Sequence, residues 1–78
     1  MEIIIHYNVE RGFEDQALAL ARRLFARFDE AIDSLALIPV ADEDCDLHLN
    51  GRLLHSQSQS GRPPLVSDVL AALETCST

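Results

Sequence analysis

The chain has 78 residues, 47% of them hydrophobic and 24% charged, with a formal net charge of −7 and a pI near 4.6. That is the length of one domain (1–78), with a core small enough that a partner or a second copy would help to complete it. The six basic residues are all arginines scattered among thirteen acids, which builds no phosphate-binding stripe and argues against nucleic acid and anionic membrane surfaces as partners.

Residues 2–7, EIIIHY, form a short β-branched run and predict a buried strand. Residues 9–28 predict a helix, because Phe13, Ala17, Leu20, Ala21, Leu24 and Phe28 recur at helical spacing on one face. Its acids sit early and its arginines late, which suits the helix dipole. Residues 32–38 predict a second strand, ended by Pro39.

Asn50-Gly51 lies between two alternating runs and signals a tight hairpin, with strands at 45–49 and 52–56. A regular two-residue turn pairs Leu49 with Arg52, His48 with Leu53, Leu47 with Leu54 and Asp46 with His55. Residues 56–61, SQSQSG, predict a polar loop. Pro63 and Pro64 then open a last helix, whose apolar stripe is Val66, Val69, Leu70, Leu73 and Cys76. The order is βαβ followed by ββα. Two helices can cover one face of a four-stranded sheet and leave the other open.

Tyr7, Asn8, Arg11, Gly12 and Phe13 form the strand-to-helix corner, where α/β folds point backbone N–H groups and a helix dipole at one place. The order of elements, Tyr7, Gly12-Phe13, SLALIP at 34–39, DLHLNGRLLHS at 46–56 and the Gly-Arg-Pro-Pro of 61–64 resemble the selenoprotein W, T and H group, also called the Rdx family. The resemblance runs over nearly the whole chain. It implies a thioredoxin-like, two-layer β-α-β-β-β-α sandwich, with a four-stranded mixed sheet and both helices on one face. It also implies a role in cell redox homeostasis, through a Cys-x-x-Cys or Cys-x-x-selenocysteine after the tyrosine. Here Asn8 and Arg11 stand at those two positions. An amide and a guanidinium supply neither the attacking nor the resolving thiol of disulfide exchange. The corner therefore has no catalytic residue of the family's kind, and Asn8 is expected to cap the first helix.

The regular hairpin puts His48, Leu53 and His55 on the open face with Asp46, and strand alternation adds Ile4, His6 and Ile38. Three histidines and an aspartate are zinc-type ligands, but no spacing marks a metal site, and a mixed apolar and imidazole surface reads better as a contact surface for a protein partner or a homodimer. Asp42, Asp44 and Asp46 alternate as in a calcium loop, yet the glycine and the closing glutamate are missing. No metal or other cofactor is expected. Cys45 and Cys76 are too few for a disulfide framework. No apolar run is long enough to span a bilayer, and the first residues lack the basic region of an export signal, so the expected location is the cytoplasm. The favoured function is a binding module without redox chemistry. The alternative is a thiol oxidoreductase that uses Cys45 or a partner's cysteine.

Overall fold

The computed structural model describes residues 1–41 and 45–76, with side chains through Leu73. Asp42 and Asp44 of the acidic run, and the side chain of Cys76, lie outside the described residues. The strands are β1 (Glu2–Asn8), β2 (Ser34–Val40), β3 (Cys45–Leu49) and β4 (Arg52–Ser56). The helices are α1 (Glu14–Phe28), α2 (Gln57–Ser60) and α3 (Val66–Cys76). The sheet order is β2-β1-β3-β4, with β1 parallel to β2 and antiparallel to β3, and β3 antiparallel to β4.

One face of this sheet carries the core. Ile3 and Ile5 of β1 lie opposite Leu49 and Leu47 of β3. They pack with Ala17, Leu20, Ala21 and Leu24 of α1 and with Val69 of α3. Ile3, Ile5, Leu24, Leu47 and Val69 are fully buried. Burying each such side chain contributes about 1.5–3 kcal/mol, which is what holds the two helices on this face.

Four expectations change. First, α1 begins at Glu14, not at residue 9. Gly12 has φ +76°, a left-handed conformation that breaks the α-helical ladder, so residues 9–13 form a turn. Second, Pro39 lies inside β2, opposite Tyr7. β2 is an edge strand, and the Val40 carbonyl accepts the Val9 N–H at 3.4 Å. Backbone groups alternate sides along a strand, so those of Val40, Ile38 and Ala36 address β1 and those of Pro39 face outward. The missing proline N–H costs the ladder nothing there. Third, QSQS at 57–60, within the expected loop, is one helical turn, α2, ended by Gly61 in the left-handed region at φ +79°.

The fourth change reorders a face. Asn50 and Gly51 have φ +52° and +82°, as the tight hairpin requires. Leu49 pairs with Arg52 and His48 with Leu53, but then the register shifts, and Leu47 pairs with His55 and Asp46 with Ser56. Leu54 is the extra residue of a β-bulge. One inserted residue transfers the rest of the strand's side chains to the other side of the sheet. His55 therefore leaves the open face and lies opposite fully buried Leu47, itself only 8% exposed.

Candidate functional site

The corner is built by the end of β1. Tyr7 is half-buried against the core, between Cys45 on β3 and Pro39 on β2. Asn8 is 4% exposed, and both ends of its amide are used. Its Oδ1 accepts the Arg11 N–H at 3.0 Å, and its Nδ2 donates to the Ala41 carbonyl at 3.2 Å. The Phe13 N–H donates to the Asn8 carbonyl, and the Gly12 N–H to the Val9 carbonyl. Asn8 thus ties the 9–13 turn to the end of β2. It does not cap α1, whose N-cap is Phe13 and has no side-chain cap bond. The N–H groups of Arg11, Gly12 and Phe13 are all taken within the turn, so the corner does not present them to an anion. Arg11 and Gly12 are exposed and Phe13 is half-buried.

The open face collects most of the expected contact residues. Ile4 lies between Ala36 and His48, His6 between Ile38 and Asp46, and His48 opposite Leu53. Ile38 and Leu53 are 38% and 45% exposed. The rings of His6 and His48 meet edge to face, with centroids 4.8 Å apart. Burial is the largest influence on His48 and lowers its pKa; the neighbouring His6 lowers it further, and the Asp46 carboxylate only partly offsets this. Asp46 is 5% exposed, and among the described residues its Oδ1 has no hydrogen-bond partner. Among the described residues, no group of three or more His, Cys, Asp or Glu side chains is placed to hold a metal ion.

The bulge creates a cluster that reading the hairpin as regular missed. His55 Nε2 lies 2.9 Å from both the Arg62 carbonyl and Ser60 Oγ. Its Nδ1 is 3.9 Å from Asp68 Oδ2. Arg62 grips the Asp68 carboxylate with both guanidinium nitrogens, at 2.8 and 3.2 Å. Asp68 Oδ2 also accepts the Leu65 N–H at 2.7 Å, back-bonding the residue before α3. Burial pushes the Asp68 pKa up, but the hydrogen bonds from Arg62 and Leu65 and the charges of Arg62 and His55 outweigh it, and the net shift is downward. The cluster clamps the start of α3 to the end of β4. Its one legible signal was Asp68, three residues beyond Leu65 after a proline pair. The Nε2 of His55 faces a carbonyl that only a protonated nitrogen satisfies, so it is not placed as a base for Ser60.

Cys45 is fully buried on the helix face. A thiol in that position is shielded from disulfides in solution.

The Rdx family model matches residues 2–75. The chain belongs to the Rdx family. Among solved structures, this Rdx chain is similar to a selenoprotein W-related protein from Vibrio cholerae, at 21% identity and a TM-score of 0.83, over 96% of this chain and 94% of that one. It is also similar to a Bordetella parapertussis protein, at 22% identity and a TM-score of 0.82, over 95% and 94% of the two chains. Those identities speak for a shared fold, the thioredoxin-like arrangement. No curated protein matches the sequence. Among the described residues of this Rdx chain, no helix is long and apolar enough to cross a membrane.

Proposed function

We propose that this Rdx chain is a cytoplasmic binding module without dithiol chemistry, which engages a protein partner or a second copy through the open sheet face. The observation that carries the proposal is the chemistry at residues 8 and 11. Exchange needs one thiolate to attack and a second thiol to resolve the mixed disulfide. At this corner a buried amide holds the turn closed from within, and a guanidinium stands at the second position. The surface that remains for a protein is the face around Ile4, His6, Ile38, His48 and Leu53, where aliphatic and imidazole groups lie side by side.

The second reading keeps redox activity and assigns it to Cys45 or to a partner's cysteine. What favours it is position, since Cys45 lies directly across from Tyr7, the first residue of the corner. One experiment separates the two. Native protein is assayed for thiol-dependent reduction of insulin and for rapid labelling by a thiol reagent. The binding-module reading expects no reduction, and slow labelling of Cys45. Insulin reduction by the wild type that disappears in Cys45→Ser would establish the oxidoreductase instead.

A further inference from the structure

The open face of the sheet is one-sided in charge. The chain's basic side chains are six arginines, and only Arg52 belongs to a strand. Arg52 lies opposite Leu49, whose side chain is in the core, and lines a small cavity with Ala72 of α3, so it stands on the helix side of β4. Arg22, Arg23 and Arg27 belong to α1, in the layer behind the sheet. Arg62 is held by Asp68 of α3, and Arg11 stands in the turn that leads to α1. The terminal amine of Met1 is bound by Asp33 and by the Ala31 carbonyl, at 2.7 Å each. The acids on the open side are Glu2, which is exposed and alternates with buried Ile3, and Asp46, opposite His6. Asp42, Glu43 and Asp44, outside the described residues, precede Cys45 in the sequence and supply no cation to offset them.

We propose that the open face docks a cationic amphipathic helix of a different protein. The inference rests on the binding-module reading and names that module's partner by its chemistry. Ala36, Ile4, His48 and Leu53 lie side by side across all four strands, with Ile38 in the next row beside His6. Within a sheet the backbone groups are spent on the ladders, so this face offers side chains alone. Its complement is the apolar stripe of a helix, not another strand. Lysines or arginines flanking that stripe would meet only acids on the strands, and would be drawn toward a chain whose net charge is −7. A second copy is the poorer occupant. Face to face, two copies would bring Glu2 and Asp46 of each chain into one interface, with no arginine from either on the open side.

The probe is a synthetic helical peptide with leucines on one face and lysines on the other, compared with its copy carrying glutamate for lysine. Binding is read from the amide chemical shifts of labelled protein, and the protein alone is followed by sedimentation. The lysine peptide should shift amides around Ile4, Ile38 and Leu53, added salt should weaken it, and the glutamate peptide should not bind. Ile38→Arg and, separately, Leu53→Arg should each weaken binding by about tenfold or more, because each sets a like charge against the peptide. Leu18→Arg makes the same change of charge on exposed α1 and should leave binding intact. If one open-face variant does not fold, the other decides, and if neither does, the wild-type shifts decide alone. Equal binding of both peptides at the open face would overturn the charge argument while keeping the face as a contact surface. A wild-type dimer dissociated by either open-face variant would also overturn it, and make the partner a second copy. Lysine-peptide binding weakened by Leu18→Arg alone would overturn it and take the open face from the binding-module reading as well. No shift on the open face up to millimolar lysine peptide would overturn the inference and leave that reading with a partner of other chemistry.

Discussion

Asn8 shows how one side chain changes its meaning between a sequence and a fold. As the residue before a helical pattern it reads as an N-cap, for which aspartate would serve as well. In the structure its amide both accepts from the Arg11 N–H and donates to the Ala41 carbonyl. The donor half has no counterpart in a carboxylate. Asn8→Ala should therefore lower stability by about 1–3 kcal/mol, the cost of leaving buried groups unpaired. Asn8→Asp should be destabilised too, because its carboxylate would face a carbonyl oxygen. Urea unfolding of the two variants measures both. An Asn8→Asp as stable as the wild type would show that the Ala41 bond contributes nothing.

His48 and Asp68 make stability depend on pH in two separate ranges. The folded pKa of His48 is lowered by burial and by His6. Below its ordinary value of about 6.5 the unfolded chain takes the proton more readily, so stability falls as pH drops from there toward the folded value. Asp68 is a lowered carboxylate. Its contribution is present above the ordinary carboxylate value, about 4, and is lost as pH falls through the lower folded one. Stability measured against pH should show both declines. His48→Gln should flatten the first and leave the second, and Asp68→Asn the reverse. A profile unchanged by either variant would remove the linkage.

At the scale of elements, the corrections share a cause. The hairpin strands were legible to the residue, because Asn50 and Gly51 each adopt the positive φ that the turn demands. Asn50 does more than turn: its Oδ1 accepts the Glu2 N–H at 2.9 Å and its own N–H donates to the Glu2 carbonyl at 2.8 Å, fastening the hairpin to β1. The bulge at Leu54 was not legible. Leu53 and Leu54 are the same residue type, and alternation alone does not say which of two leucines is the extra one. Local stops misled in the opposite way. Pro39 ends a strand only when its absent N–H is needed, and on the outward side of an edge it is not. Gly61, by contrast, acts as its type suggests. It ends α2 at φ +79°, with nothing within 4 Å of where a Cβ would stand. Gly61→Ala should therefore cost about 1–2 kcal/mol from backbone strain alone, without any clash. Thermal unfolding of Gly61→Ala beside Gly61→Asn, which tolerates that conformation better, checks this. Equal melting temperatures for both and the wild type would mean that α2 does not need its left-handed end.

At the scale of the molecule, the two faces of the sheet divide the labour. One is sealed by α1 and α3 over Ile3, Ile5, Leu47 and Leu49. The other keeps Ile38 and Leu53 exposed around a histidine pair. If the open face binds a protein, acidification should weaken the complex, because protonating His48 places a charge among aliphatic groups. Affinity for a captured partner, measured at neutral and mildly acidic pH for wild type and His48→Gln, reads this out. A pH response identical in both would place the sensitive group elsewhere.

The residues carry the order of elements and the hairpin, and the family resemblance adds the fold class and the loss of the dithiol. Each of these depends on residue identity at short range: helical spacing from Ala17 to Leu24, positive φ at Asn50-Gly51, and Asn8 and Arg11 in place of thiols. Which face His55 occupies, what Asn8 holds together and which side of β2 Pro39 turns outward came from the three-dimensional arrangement of the strands. Those depend on where a second strand runs. The side-chain period of a strand is two, so one unpaired residue at Leu54 reverses the face of His55 and Ser56 beyond it, and no local preference carries that information.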